Sequence, residues 1–357
     1  MTESLFGVVV VGRNEGNRLP RSLTSVLACT KTVIYVDSGS SDDSVSLAES
    51  LGVAVWPLDP ARPFSAARAR NEGFERLVAT HPGLEAVQFV DGDCELDPAW
   101  LAAGLAKLRC ASETAMVCGH IRERDPAASP YNRMCALEWR QVPGNVSACG
   151  GNFLVRATVF AQLGGFRCEV TAGEEDELCQ RVLGLGYKIH LLDHDMVLHD
   201  SALLHFSQWW KRARRCGHAY AQGRFLHRED PSGRFRRESR SLIVWGAGVP
   251  LLAILPAAAT GGASLFILGS YVVLAARVYQ HCHRRGWSAD EARLYATFTV
   301  LSKLPGLLGL IQFNLDRWRG RHPALIEHKQ LPRKLQHHRN DITDASPPSP
   351  MKDKRHA

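Results

Sequence analysis

Two aspartates flank a glycine directly after a short apolar segment, where "VQFV" runs into Asp91-Gly92-Asp93. Carboxylates at the end of a buried strand repel each other unless a cation lies among them. Oxygen ligands suit Mg²⁺ or Mn²⁺, with the phosphates of a substrate completing the coordination shell. The pattern therefore predicts a divalent-metal site through Asp91 and Asp93, and its alternative is an ordinary Asx turn.

Polar residues also follow the first two apolar segments of the chain. Arg13, Asn14 and Glu15 come after "FGVVVVG", and Asp37 comes after "VIYV". A carboxylate at the position of Asp37 can accept hydrogen bonds from the base or ribose of a nucleotide. The alternative for both groups is a turn that leads into a helix N-cap.

The elements that position these residues alternate between strand and helix patterns. The strands "FGVVVVG", "VIYVD", "VAVWPL" and "EAVQFVDGD" are nearly continuous in apolar residues, which predicts a parallel sheet covered on both faces. Ligands of such sheets bind beyond the carboxyl ends of the strands, where the polar residues lie. From Cys110 to Leu204 the sequence is mixed, with one helix at "EEDELCQRVLGLG" and a strand at "GYKIHLL", and we interpret it as the second half of the same domain.

Composition narrows the class of partner. The ten cysteines include no C-x-x-C pair, which favours reduced thiols over a zinc site or a redox couple. The net charge is +7, and the basic residues concentrate after Lys211, beside the most apolar part of the chain. Basic residues that flank apolar segments indicate anionic lipid rather than nucleic acid. We therefore expect a membrane partner and no nucleic acid.

The stretch from Ser241 to Ala276 carries no charged residue and is too long for one crossing of a hydrocarbon core about 30 Å thick. Thr260-Gly261-Gly262 is a natural break, so we predict a hairpin that dips in from one face or a shallow double span, with both ends cytoplasmic. The alternative is a buried hairpin of a soluble protein. The following stretch around Lys303 is apolar but carries a charge, so we predict an interfacial helix there. Residues 321–357 are polar and basic, so we predict that they form a disordered tail.

Six segments occur in the order and spacing of bacterial family 2 glycosyltransferases with the GT-A fold, which the chain resembles from about residue 5 to residue 220. They are "VVVVGRNEGNRLPRSLTSV", "VIYVDSGSSDDS", "ARARNEGF", "FVDGDCELDPAWL", "GGNFLVRATVFAQLGGF" and "GEEDELCQRVLGLGYKI". The resemblance implies a GT-A domain at 1–225, with a nucleotide-sugar half at 1–110 and an acceptor half at 111–225. Membrane-associated helices at 226–320 and the tail would follow.

The activity that the resemblance implies is inverting transfer of a sugar from a UDP- or GDP-linked donor, with Mn²⁺ or Mg²⁺ on the diphosphate. The acceptor would be a hydroxyl of a lipid-linked or cell-envelope glycan, at the cytoplasmic face of the bacterial inner membrane. Two other classes remain open. One is a metal-dependent nucleotidyltransferase on the same type of fold, and the other is a catalytically inactive, membrane-bound protein that binds sugar nucleotides.

The resemblance also implies roles for single residues. Asp37 would contact the base, Asp91 the ribose or the metal, and Asp93 the metal. His199 matches a position where this family often has a histidine near the metal, and its alternative is a histidine at a strand end. The implied donor-binding residues are Arg13, Glu15, Asp37, Arg70, Asn71 and Asp91. The residues implied near the acceptor or the diphosphate are Gly151, Asn152, Glu174 and Arg212, with Arg214 and Arg215 as alternatives to Arg212.

The family's catalytic base lies in an acidic pair just before D/E-L-x-x-R. Counting back from Glu177-Leu178 and Arg181 identifies Glu174-Glu175 as that pair and Glu175 as the base, with Asp176 in reserve. The alternative is an acid-rich helix N-terminus that stabilises the positive end of the helix dipole.

Overall fold

The computed structural model describes residues 6–228 and 233–320, and in this part a nine-stranded mixed sheet is formed between residues 6 and 199. The predicted tail at 321–357 lies outside the described residues. The strands are β1 (Phe6–Gly12), β2 (Val33–Asp37), β3 (Ala54–Pro57), β4 (Ala86–Asp91), β5 (Cys94–Leu96), β6 (Thr114–Glu123), β7 (Gly144–Val146), β8 (Phe153–Arg156) and β9 (Lys188–His199).

Helices cover the sheet and then continue beyond it. They are α1 (Arg18–Cys29), α2 (Ser44–Ser50), α3 (Ala66–Thr80), α4 (Trp100–Cys110), α5 (Pro130–Glu138), α6 (Ala157–Gln162), α7 (Glu174–Gly184), α8 (Phe206–Leu226), α9 (Arg234–Ile243), α10 (Val249–Ile254), α11 (Ser270–Arg284), α12 (Ala289–Leu301) and α13 (Lys303–Trp318). A π-helical turn, Val244–Gly248, precedes α10, and a 3₁₀ segment, Ala263–Gly269, precedes α11.

The sheet begins with four parallel strands in the order β3-β2-β1-β4, as the apolar runs predicted. The register pairs Gly12 with Asp37 and Val11 with Asp91, so the ends of these strands meet at one edge. Antiparallel β8 then connects β4 to β6, and β9 lies parallel to β6. One continuous sheet therefore carries both halves of the domain, and the predicted mixed α/β fold is confirmed.

Strand β9 is longer than the sequence pattern predicted. The predicted strand ended near Leu192, whereas β9 continues to His199 and pairs there with Cys94 of β5. Its pairing with β6 shifts register between Cys118 and His120, and again before Ile121. Such irregularities disturb the two-residue alternation of a strand, which is why the pattern did not reveal the extension.

The break in the uncharged stretch lies where it was predicted, because Gly261 and Gly262 both have positive φ, at 57° and 89°. The two arms of the hairpin pack against each other. The Ser264 hydroxyl donates to the carbonyl oxygen of Ala253 at 2.7 Å, and the hydroxyl of Tyr271 donates to the carbonyl of Trp245.

One face of helix α13 is packed tightly against α8, and the prediction that this helix is interfacial stays a prediction. A Cβ added at Gly309 would lie 1.9 Å from the carbonyl oxygen of Arg214, and one at Gly217 would lie 1.9 Å from that of Gly306. These two glycines let the helix backbones approach more closely than side chains would allow. Helix α13 is therefore part of the same packed body as α8.

The opposite face of α13 and the hairpin expose large apolar side chains. The exposed residues are Leu251, Leu252, Ile254, Leu255, Phe266, Val272 and Val273 on the hairpin, and Leu301, Leu304, Leu308, Ile311, Leu315 and Trp318 in and beside α13. Two helical stretches, Ala263–Arg284 and Ala289–Trp318, are long and apolar enough to cross a membrane. The apolar window of the first is not buried at all within the protein, and 28% of the second is buried.

Candidate active site

A buried arginine connects the strand ends of the first half to the acidic helix of the second half. Arg70 of α3 is 2% exposed, and its Nη2 donates to Oδ1 of Asp91 at 2.8 Å. Its Nη1 donates to Oε1 of Glu174 at 3.0 Å and lies 3.2 Å from Oε1 of Glu175. Three carboxylates are thus gathered around one guanidinium, whose fixed fork of donors suits several acceptors at once.

The loop before β8 makes room for this arrangement. A Cβ at Gly151 would lie 2.4 Å from Nη2 of Arg70 and 2.6 Å from Oδ2 of Asp91, so only glycine fits beside the ion pair. The next residue, Asn152, is 3% exposed and accepts a hydrogen bond from the backbone N–H of Asp91 at 3.0 Å. Gly151 and Asn152, two of the residues expected near the acceptor or the diphosphate, therefore lie beside Asp91.

The two glutamates at the start of α7 have pKa values displaced in opposite directions. Burial raises the pKa of Glu175 to about 8, helped by the negative charge of Glu174 and only partly opposed by Arg70. Burial acts in the same direction on Glu174, but the charges of Arg215 and Arg70 outweigh it and leave the pKa of Glu174 below its usual range. Neighbouring carboxyl groups whose pKa values are pushed apart are typical of catalytic acid–base sites.

Asp176, the reserve candidate for the base, faces a different partner. Arg234 of α9 binds it in a bidentate pair, with Nη1 3.0 Å from Oδ1 and Nη2 3.1 Å from Oδ2. Consecutive residues of a helix point about 100° apart, which explains why Glu175 reaches Arg70 while Asp176 reaches α9. The geometry thus places Glu175, and not Asp176, beside the strand-end carboxylate Asp91.

Asp93, Cys94 and His199 form a second cluster next to this network, with candidate ligand atoms that all lie within 4.8 Å of one another. His199 Nε2 is 3.6 Å from Oδ2 of Asp93, and its Nδ1 is 2.8 Å from Oε2 of Glu123. A carboxylate on the far nitrogen of a histidine is the usual way in which a ligating imidazole is oriented toward a metal. A carboxylate oxygen and an imidazole nitrogen can both coordinate a divalent cation.

Comparison with known proteins concerns the family and the fold of this domain. Residues 7–163 match the model of the family described as Glycosyl transferase family 2. The chain contains a family 2 glycosyl transferase domain. The match to an uncharacterized glycosyltransferase of Rickettsia conorii is 42% identical over 55 residues, which make up 15% of this chain and only 19% of that protein.

Solved structures extend the likeness of the family 2 domain to most of the chain. A mannosyltransferase from Pyrobaculum calidifontis, solved in complex with GDP-Man and Mn²⁺, has a TM-score of 0.56 at 15% identity and covers 87% of each chain. Residues 1–349 of S. aureus TarS have a TM-score of 0.50 at 13% identity, covering 88% of this chain and 92% of that one. At these identities the likeness concerns the fold, and it confirms the GT-A architecture.

Three residues of the family 2 domain that were expected to contact the donor line the strand ends β1 and β2. The carboxylate of Asp37 is 2% exposed and accepts hydrogen bonds from the Tyr35 hydroxyl at 3.0 Å and from two backbone N–H groups of its own turn. Glu15 is buried and forms an ion pair with Arg18 at 2.9 Å. Arg13 lies with its guanidinium 5.5 Å from the ring of Phe64. Within the protein, Asp37 therefore makes the contacts of a turn residue, which was the alternative to nucleotide binding.

Asn71 and Arg212 form contacts outside the network around Arg70. The amide of Asn71 forms two hydrogen bonds with the backbone of Phe166, each 2.8 Å long. Arg212 forms an ion pair with Glu138 of α5 at 2.6 Å. Of the three arginines considered near residue 212, Arg215 comes nearest to the acidic cluster, 3.9 Å from Oε2 of Glu174.

Glu123 was not among the site residues predicted from the sequence, although the sequence contains a signal for it. It ends the apolar strand β6, as Asp91 ends β4, and its side chain is buried against His199 and the backbone of Ser201. A carboxylate that closes a buried strand was the criterion used for Asp37 and Asp91. The same criterion applied to "TAMVCGHIRE" identifies Glu123.

Proposed function

We propose that this protein is an inverting, divalent-metal-dependent glycosyltransferase. It moves a sugar from a UDP- or GDP-linked donor to a hydroxyl of a lipid-linked or cell-envelope glycan. The observation that carries the proposal is the Arg70 network, which holds a carboxyl group of raised pKa beside the strand-end Asp91. The family 2 domain and the fold shared with a mannosyltransferase support the same activity.

Asp93 and His199 are the residues that would hold the metal. Their oxygen and nitrogen donors favour Mn²⁺ over Mg²⁺, which prefers oxygen ligands alone. When bound, the metal stabilises the negative charge of the departing nucleoside diphosphate. Asp91 was expected to share this role, but in the structure its Oδ1 accepts from Arg70, so we assign it to positioning the donor side of the site.

Glu175 would act as the base that accepts the proton of the acceptor hydroxyl as its oxygen attacks the anomeric carbon. Attack from the face opposite the leaving diphosphate inverts the configuration. Arg70 fixes the Glu175 carboxylate relative to Asp91, so that one guanidinium orients groups from both halves of the domain. A positioned base of this kind contributes about 10² to 10⁴-fold to the rate.

We place the protein at the cytoplasmic face of the bacterial inner membrane. The hairpin and the outward face of α13 expose apolar side chains to solvent, and Arg240 and Arg277 bracket the uncharged stretch. Exposed apolar surface of this extent marks an interaction with lipid or protein, and basic flanks favour the cytoplasmic leaflet. This placement would bring the site to the surface where lipid-linked acceptors reside.

The proposal is tested with the purified full chain and a panel of UDP- and GDP-linked sugars. With Mn²⁺ present, one donor should raise the melting temperature and be slowly hydrolysed, and glycolipid extracts should then yield a product of inverted anomeric configuration. A chain that binds none of these donors in Mn²⁺, or that gives a retained configuration, contradicts the proposal.

A further inference from the structure

A basic cavity lies away from the strand ends, between α8, α9 and α13. Its volume is about 520 Å³, and four arginines line it: Arg224, Arg228, Arg236 and Arg317. Within the described part of the chain no acidic residue lines the cavity, and none of the four arginines has a carboxylate within 4.0 Å. Surface arginines normally lie among mixed charges, so such a group attracts anions.

Contacts with an aromatic ring and with a backbone carbonyl hold these arginines in place. The guanidinium of Arg317 lies 3.8 Å from the ring centre of Phe225, and that of Arg228 lies 5.0 Å from the same ring. Arg236 donates from Nη2 to the carbonyl oxygen of Arg228 at 3.0 Å. Stacking on one ring brings like charges together, and an anion bound among them would relieve their repulsion.

One wall of the cavity is apolar and continues into the exposed apolar surface. Ile243, Leu310 and Phe313 line this wall, and Ile243 ends α9 where the hairpin begins. The neighbouring Leu308, Ile311 and Leu315 of α13 are exposed. A ligand for this site therefore has a phosphate-like head and an apolar body, which is the composition of an anionic lipid.

We propose that this cavity binds the phosphate headgroup of an anionic phospholipid, with the acyl chains along the exposed face of α13. Arginine suits the task because its planar guanidinium donates to phosphate in pairs, and basic pockets at the cytoplasmic side of apolar helices bind such headgroups. The inference rests on the membrane association proposed above and not on the transfer reaction.

The cavity also adjoins the helix that carries the proposed base. His227 lines the cavity, and its Nε2 lies 3.1 Å from Oε1 of Glu177 in α7. Arg236 shares helix α9 with Arg234, which binds Asp176 of α7. A lipid in this cavity would thus hold α7 at a defined position relative to the membrane surface.

The test uses the full chain in flotation with vesicles of phosphatidylcholine alone and with about one-fifth phosphatidylglycerol. The cavity variant is Arg224→Gln/Arg236→Gln/Arg317→Gln. Because any arginine near an anionic surface contributes to binding, its control is Arg237→Gln/Arg284→Gln/Arg285→Gln, which removes the same charge from exposed sites outside the cavity. We expect the cavity variant to lose on the order of tenfold more of the phosphatidylglycerol-dependent affinity than the matched variant. Equal losses would mean diffuse charge attraction and would overturn the inference.

Melting temperatures measured with inorganic phosphate or glycerol phosphate distinguish a lipid ligand of the cavity from a free phosphate ligand. In one outcome, soluble phosphate stabilises the wild type and the control variant but not the cavity variant, while the two variants bind vesicles equally. That pair of results would reassign the site to a soluble anion and overturn the lipid inference. If the triple variant does not fold, Arg224→Glu reverses one exposed charge and is held to the same comparison. Donor binding in detergent is measured alongside, so failure of the transferase proposal is seen independently of vesicle binding.

Discussion

Nη1 of Arg70 lies 3.2 Å from Oε1 of Glu175, while Nη2 of the same guanidinium donates to Asp91 at the end of β4. The arginine is buried in α3, and Glu175 opens α7, so a single side chain links the two halves of the domain. A buried guanidinium is tolerated here because three carboxylates surround it. The predictions below follow mainly from this link and from the cluster beside it.

Glu175→Gln keeps the size of the side chain but cannot accept a proton, so kcat should fall by about 10²-fold or more with donor affinity nearly unchanged. Asp176→Asn should retain most of kcat and lose stability, because the ion pair between Arg234 and Asp176 would lose its negative charge. Steady-state kinetics and thermal unfolding of both variants provide the measurements. Loss of transfer in Asp176→Asn with transfer intact in Glu175→Gln would exchange the two roles.

The pH profile should report the raised pKa of Glu175. The base must be deprotonated, so kcat/KM of the free enzyme should rise with pH, reach half of its plateau near pH 8 and level off above that pH. Glu174→Gln removes the neighbouring negative charge that helps to raise this pKa, so the rising limb should move to lower pH. An unchanged limb in Glu174→Gln would show that another group titrates.

The same pKa predicts how stability depends on pH. The folded chain holds a proton on Glu175 up to about pH 8, whereas the unfolded chain releases it near 4.5, the ordinary pKa of a glutamate. The contribution of Glu175 to the free energy of unfolding therefore decreases as pH rises between these values. Denaturant titrations from acid to alkaline pH should show a smaller decrease in Glu175→Gln than in the wild type.

Metal dependence should reside in Asp93 and His199. Calorimetry with a UDP- or GDP-linked sugar should show binding in Mn²⁺ that is lost in chelator, in Asp93→Asn and in His199→Gln. Glu123→Gln should lower the affinity for the metal by about 10 to 100-fold, because Glu123 orients the imidazole and does not itself bind the metal. His194→Gln, on the same strand, serves as the control and should bind normally. Donor binding that survives chelation would contradict this assignment.

Gly151→Ala should disturb the Arg70–Asp91 pair, because the new Cβ would lie 2.4 Å from Nη2 of Arg70. Overpacking of this kind costs about 1–3 kcal/mol, and kcat should fall with it because the base loses its fixed position. Gly184→Ala is the matched control, since a Cβ there meets no atom within 4 Å. Equal stability and activity of the two variants would show that the loop can adjust.

Membrane association should depend on the exposed hairpin residues. Truncation near Arg240 is an unsuitable test because it removes α13 and uncovers the face of α8 on which α13 packs. Leu252→Ser/Leu255→Ser/Phe266→Ser leaves that contact intact and should move the full chain from the membrane pellet to the soluble fraction. Leu51→Ser/Val142→Ser/Leu185→Ser, at exposed apolar positions outside the hairpin, should leave the distribution unchanged. Equal release by both variants would argue against the hairpin as the anchor.

The amino-acid sequence alone predicted the parallel strands β1, β2 and β4 and the polar residues at their ends. Continuous apolar runs specify strands that are buried on both faces, and parallel strands bring their carboxyl ends to one edge. The motif of the family that the chain resembles, counted back from Arg181, likewise predicted Glu175 as the base, and this assignment stays a prediction. The hairpin break at Gly261-Gly262 was also local information, because glycine favours positive φ.

Only the tertiary structure decided which of these residues act together. Arg70 and Glu174 are 104 residues apart in sequence, and no local period links α3 to α7. His199 reaches Asp93 because β9 continues through irregular pairing with β6 and then meets β5. Helical spacing separates Glu175 from Asp176 by about 100°, but only the positions of Arg70 and Arg234 determine which of them faces the site. Periodicity describes one element at a time, whereas the partners of a buried charge depend on how distant elements pack.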